Sequence, residues 1–341
     1  MPLGRSLTQI IKKQLSKYKP CILTYHGVVK DSLNVPVWSF IDEKKFKEQI
    51  KLLSENYNCI SLNQLITDIR NNTIKPRSVV ITFDDGFENN YSVAFPILKK
   101  YNVPATIFLT AGYINTNELI WPDKLLTILQ IPDQSIYFQN EIHSTSTPDE
   151  KAKAFFAITR ALKQLHPYQI NTELERIVTE NNINYENDVN EQTFRSIKIM
   201  NWAQAKEMQD SKLIDFGSHT ITHTIVSRLS EQEAYNEINE SKKIIENHLG
   251  PINLFAYPNG TLDDFTPINR QQAIDAGYTA ICTAITGVTD KNSNLYDLKR
   301  ITVSPSISMN NFIFSLDGGI ALSEGGLVLN LFRKMRKFFS S

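Results

Sequence analysis

Two carboxylates stand side by side in "TFDDG", where Asp84 and Asp85 end the β-branched run "SVVITF" and precede Gly86. Adjacent like charges repel, so a turn built only for structure would more often carry one carboxylate or a neutral residue, and the pair implies a positive centre close by. A second segment, "DFGSHTITHT", sets His219 and His223 four residues apart just after another β-rich run. That spacing brings two imidazoles to one face if the chain turns helically there. Each segment alone has an ordinary reading, as a turn or a chance histidine pair. Together they make the donor set of a divalent transition metal, with further coordination positions left to water or substrate. One carboxylate can then ligate while its neighbour accepts a proton, which is the chemistry of metal-assisted hydrolysis.

Such groups work only if strand ends present them to one rim. Seven short β-rich runs are predicted as strands: 21–26, 78–83, 105–110, 213–219, 253–258, 278–283 and 299–303. They alternate with helical patterns at 43–56, 61–71, 88–101, 201–211, 230–248 and 266–276. Ser61 reads as an N-cap, Ser230 with Glu233 as a capping box, and Gly250, Pro251 and Gly277 as stop signals. The alternation predicts parallel strands joined by crossover helices, an α/β fold, and seven strands suffice to close a barrel whose active site lies at the C-terminal rim. The rhythm breaks over 111–200, where "SIYFQNEIHS" predicts a hairpin, "TPDEKAKAFFAITRALKQLH" a capped helix, and the remainder to 195 is polar. This stretch is expected to be an insertion on the barrel.

With these motifs in order, the chain resembles the polysaccharide deacetylase family, the NodB-homology carbohydrate esterases, over about residues 20–305. The resemblance rests on "TFDDG", "SHTITH" and, less specifically, "FAYPNG". It implies a distorted (β/α)7 barrel, here with a largely helical insertion, and an N-deacetylase reaction. It makes Asp84 the general base and Asp85, His219 and His223 the ligands of a divalent metal, zinc first, with nickel, cobalt or iron as alternatives. Two departures matter. The family's late catalytic His is missing, since His248 lies inside a predicted amphipathic helix; His26, ending "CILTYH", looks instead like the general acid of a circularly permuted branch, against a strand-end histidine satisfied by backbone. "FAYPNG" also has Ala256 where the family carries Arg, and Asn259 where an aromatic residue is usual. Arg300 in "LKRITV" could return that guanidinium from another strand, against an ordinary surface ion pair, while the backbone N–H of Asn259 could still bind an oxyanion. Trp121 and Asp123, in "ELIWPDKL", are read as a sugar platform; Trp202 as packing or cleft wall. His143 and His166 are given no role.

Bulk composition narrows the partners. Thirty-six basic residues balance thirty-six acidic ones over 341 residues, so no global field favours nucleic acid. Cys21, Cys59 and Cys282 show no CxxC and are expected to be buried thiols of a reducing compartment. No segment approaches the ~20 apolar residues of a membrane helix, and the N-terminus lacks a signal-peptide core, so a cytoplasmic protein is expected. Segments 1–19 and 306–341 are locally basic and amphipathic, which suggests helices packed on the domain or peripheral contact with the inner face of a membrane. The leading expectation is removal of an N-acetyl group from a polymeric, nucleotide-linked or lipid-linked amino sugar in surface polysaccharide or glycolipid biosynthesis. Alternatives are a small-amide or ureide hydrolase of the same fold, and a catalytically inactive carbohydrate-binding member.

Overall fold

A computed structural model of the chain describes residues 19–30, 39–131, 135–184 and 191–317. The expected amphipathic segment 1–19 and the basic tail from 318 therefore lie almost wholly outside the described residues. The strands are β1 (Cys21–Tyr25), β2 (Gly27–Val29), β3 (Phe40–Asp42), β4 (Asn58–Cys59), β5 (Ser78–Phe83), β6 (Ala105–Leu109), β7 (Ile136–Phe138), β8 (Glu141–His143), β9 (Ile214–Ser218), β10 (Leu254–Ala256), β11 (Ala280–Thr286) and β12 (Leu298–Thr302). Seven of them form a parallel sheet in the order β1, β12, β11, β10, β9, β6, β5, and β5 pairs back with β1 through five registered residues, so the sheet closes. The result is the distorted (β/α)7 barrel, with a register shift between β11 and β12 and a single registered pair joining β9 to β10.

All residues of β1, β5 and β6 are buried, because a parallel barrel is covered on both faces. Side chains alternate between two cores. Ile22, Val80, Phe108, Leu254 and Leu298 share one cluster with Leu62, Leu65, Ile66 and Ile69 of the helix Leu62–Asn71. Two residues further along the same strands the apolar series gives way to Thr24, Thr82 and Arg300, all buried. The period of two thus carries one strand face from an apolar plug to a polar C-terminal end.

The capping signals are realised: Ser61 accepts from the Gln64 N–H, and Ser230 and Glu233 exchange capping-box hydrogen bonds. The single helix expected over 88–101 is instead a π-helical turn, Asn90–Ala94, running into Phe95–Tyr101. Pro96 has no N–H to donate four residues back, and the Phe95 N–H reaches Asn90 O five residues back. Between β6 and β9 stand helices Trp121–Gln130, Pro148–Leu162, Pro167–Glu180, Glu191–Ile197 and Trp202–Asp210, with the β7–β8 hairpin among them. The stretch read as merely polar contains the amphipathic helix 167–180, which buries Ile170, Leu174 and Ile177. Met309–Leu316 buries Phe312 and Leu316 against the large core. Among the described residues no helix is long and apolar enough to cross a membrane.

Candidate active site

Asp84 and His219 each sit one residue beyond a barrel strand, and each continues a ladder: the Asp84 N–H donates to Tyr25 O at 3.0 Å and the His219 N–H to Leu109 O at 2.8 Å. The chain then turns sharply. Asp85, Gly86, Thr220, His223 and Asn259 all have φ between 58° and 85°. Such conformations are disfavoured for residues with a Cβ, Thr above all, and their clustering marks a rim where backbone strain is held for a purpose. Gly86 is required twice over, by its φ of 85° and because a Cβ there would lie 2.8 Å from Leu109 Cδ2.

This geometry turns Asp85 toward both imidazoles. Its Oδ1 lies 3.2 Å from His223 Nε2 and 3.5 Å from His219 Nε2, and one donor atom from each of the three residues falls within 4.8 Å of the others. His219 Nδ1 is 2.8 Å from Ala256 O, which fixes the ring so that Nε2 faces the cluster, the usual orientation of a metal-ligating imidazole. Asp85 Oδ1 and His223 Nδ1 are buried with no well-formed hydrogen bond to protein. Burial pushes the His219 pKa down to about 4, so its imidazole is neutral at neutral pH and can donate a lone pair. For Asp85 burial opposes ionisation, but its close interaction with His223, with His26 and His219 adding to it, outweighs burial and holds the carboxyl low. Two imidazoles and an ionised carboxylate with an unpartnered oxygen fit a small divalent cation.

Asp84 faces the opposite way, into the barrel mouth. Arg300, 1% exposed, donates Nη1–H to Asp84 Oδ1 at 2.7 Å and Nη2–H to Oδ2 at 2.8 Å, while its Nε–H donates to Thr283 O at 2.8 Å. This is a buried bidentate pair. Burial raises the Asp84 pKa, but Arg300 and His219 more than compensate and leave it below the ordinary carboxylate value. The positive centre implied by the adjacent aspartates is therefore present, on strand β12.

His26 ends β1 and lines the same cleft, and its carbonyl accepts from Asn90 Nδ2 at 2.7 Å out of the π turn. Burial lowers its pKa, with Asp85 and Asp84 opposing. The cleft, about 290 Å³, is closed on one side by the insertion through Ile120, Leu126, Phe155, Thr159 and Lys163. Lys163 could not be picked out from sequence; it follows helix 148–162 and donates to Asn259 Oδ1 at 2.6 Å across to the barrel. Asp123 also lines the cleft, buried at the third position of helix 121–130, with Oδ2 unpartnered and a pKa raised by burial and then by Asp85.

Trp121 requires a correction. At 5% exposure it belongs to the apolar core, because the first helical position points its ring inward, so it presents no open face for a sugar. Trp202 stacks on His248 at 4.1 Å and 10°, which accounts for both as packing. His166 lies 3.7 Å from Glu233, and His143 ends the β8 hairpin strand.

Known proteins share this fold. The polysaccharide deacetylase family model matches residues 71–281, and the chain belongs to that family. It is 24% identical over 296 residues to YxkH of Bacillus subtilis, covering 85% of this chain and 74% of that one. It is 23% identical over 304 residues to a poly-beta-1,6-N-acetyl-D-glucosamine N-deacetylase of Staphylococcus aureus, covering 83% and 78%. Among solved structures, the Streptococcus pyogenes deacetylase PplD in complex with acetate aligns with a TM-score of 0.57 at 20% identity, over 87% of this chain and 98% of that one. At that identity the likeness concerns the fold.

Proposed function

We propose that the chain hydrolyses the N-acetyl group of an amino sugar, with a divalent metal, zinc first, held by Asp85, His219 and His223. The observation that carries this reading is the pairing of an Arg-clamped, ionised Asp84 with the neighbouring three-residue donor set. A bound divalent ion supplies Lewis acidity and a water of lowered pKa.

The protein's own groups do the rest. Asp84 takes the proton of the attacking water, and Arg300 keeps it ionised and aimed. His26, in the same cleft, passes a proton to the departing amine, which balances the proton that Asp84 removes from the water. The Asn259 N–H is available to the developing oxyanion, and Ile120, Leu126 and Phe155 offer the acyl methyl an apolar wall. Asp123, unpartnered at Oδ2, suits a sugar hydroxyl. The binding-only alternative drew its support from the altered motif at Ala256 and Asn259, and the Arg300 guanidinium on Asp84 weighs against it. The S. aureus relative's name adds weight to a β-linked N-acetylglucosamine substrate, free in a polymer or carried on a biosynthetic intermediate.

The test is acetate release from chitooligosaccharide, from UDP-linked and from lipid-linked N-acetylhexosamine, with metal content measured in parallel. Asp84→Asn is expected to lower release by at least ~100-fold, the low end of the effect of a general base, while metal content holds. Chelation should abolish release and metal restore it. Metal bound and no acetate from any of these would overturn the reading.

A further inference from the structure

Beside the cleft lies a second, smaller cavity of about 90 Å³, walled by helix 167–180, by the loop after His223 and by Lys163, which lines both spaces. That is less than a third of the cleft's volume of about 290 Å³, so it suits a compact polar group better than a second sugar ring. Its polar lining includes the cations Lys163 and Arg228 and the neutral groups Tyr113, Tyr168, Asn171 and Thr224, and it contains no carboxylate.

Three features point to a ligand. Arg228, exposed at the edge of the cavity, has no ion-pair or side-chain hydrogen-bond partner among the described residues. Thr224, 4% exposed, has an Oγ1 with no hydrogen-bond partner. Lys163 is held by a neutral acceptor, Asn259 Oδ1, and by no carboxylate. The acidic residues nearby are occupied: Glu237 accepts from the Ile221 and Thr222 N–H groups and the Thr222 hydroxyl, Glu233 caps helix 231–249 and meets His166, and Asp264 accepts from the Thr261 N–H and hydroxyl. Two cations and an unpartnered buried hydroxyl, with no carboxylate in the lining itself, form a receptor for a compact anion.

We infer that this cavity is an anion subsite that receives a phosphate group carried by the substrate next to the amino sugar being deacetylated. The inference rests on the deacetylase reading for its place in the reaction, but the site itself can be measured without turnover. A phosphate beside the sugar can come from a nucleotide diphosphate or from a lipid carrier; the shared chemistry is a phosphoryl group at the anomeric end.

The experiment uses the full chain after chelation, so that no metal competes for the anion. Inorganic phosphate, N-acetylglucosamine and N-acetylglucosamine 1-phosphate are titrated separately, followed by calorimetry and by tryptophan fluorescence, since Trp121 also lines the cavity. Saturable binding of phosphate is expected, weakened by added salt, with the 1-phosphate binding at least tenfold more tightly than the neutral sugar. Arg228→Gln and Lys163→Gln should each weaken phosphate roughly tenfold, the scale of one hydrogen bond to a charged group. Circular dichroism and melting curves establish that both variants are folded. Unchanged phosphate binding in the folded double variant, or equal affinity for the sugar and its 1-phosphate, overturns the inference and leaves the deacetylase reading untouched. Variant-sensitive phosphate binding with no acetate release from any substrate would sustain the subsite and sink the deacetylase reading. UDP-linked and lipid-diphosphate-linked N-acetylhexosamine, compared as competitors of phosphate, then distinguish the source.

Discussion

At the scale of the residue, the buried pair Asp84–Arg300 brings a guanidinium from strand β12 onto the carboxylate proposed as the base. Ala256 on β10 cannot contact the base, whereas Arg300, two residues after the apolar Leu298 on β12, points along the same barrel face into the polar mouth. Removing the guanidinium leaves burial opposed only by His219 and His26 at Asp84. The sign follows: a carboxyl held below its ordinary value favours the folded, ionised state above that ordinary value and loses the advantage as pH falls, and without Arg300 the folded-state pKa moves upward instead. Arg300→Gln is therefore expected to shift the acidic limb of kcat/KM toward neutral pH and to lower stability by about 3–5 kcal/mol, the range for breaking a buried pair. Arg300→Lys should recover part of the shift. A pH–rate profile and a urea titration measure both, and a stability loss with an unmoved limb would reduce Arg300 to a structural role.

At the scale of the element, the barrel strands were legible because parallel strands buried on both faces must be short, continuous β-branched runs. The insertion was only half legible. Its hairpin and capped helix carry local signals, Asn140 and the Thr147–Glu150 capping box, but helix 167–180 hides three apolar positions at i, i+4 and i+7 in a polar sequence. Lys163 and the buried Trp121 could not be read, because their surroundings are set by how the inserted helices dock, a long-range property absent from local pattern. That docking has a functional signature. Helix 148–162 carries Phe155, Thr159 and the following Lys163 to the cleft, while Ile158 anchors it in the core, fully buried. Ile158→Ala should lower stability by about 2–5 kcal/mol. It should raise KM severalfold with a smaller change in kcat, since the acid–base and donor residues stand on the barrel. An equal fall in kcat at constant KM would show that the insertion contributes to the chemical step and not to the wall alone.

At the scale of the whole molecule, the closed barrel makes the three thiols into reporters of cooperativity. Cys21 on β1 and Cys282 on β11 are buried, and burial raises each pKa to about 12; Cys59, half-buried on the two-residue strand β4, is raised to about 11. The ordinary thiol value is 9.0, so near pH 8 even Cys59 holds about a hundredfold less thiolate than an exposed cysteine, and thiolate is the reactive form. Cys21 and Cys282 lie within ladders paired to neighbours on the closed sheet, so exposing either requires the barrel to open as a unit, whereas β4 pairs with β5 through two residues and can fray. Native alkylation at pH 8 is therefore expected to be slow overall, with Cys59 first, and Cys21 and Cys282 reacting together at a rate that rises with urea in step with global unfolding. The pH dependence has a definite sign. Because each folded-state pKa lies above the unfolded value, the unfolded chain releases protons first as pH rises, so stability declines from about pH 9 toward pH 12 as the thiols of the unfolded chain ionise. Mass-resolved iodoacetamide labelling across a urea series decides the matter: Cys21 labelled well before Cys282 would mean that the β1 seam opens alone, and that the ring of strands holding the active-site rim is not a single cooperative unit.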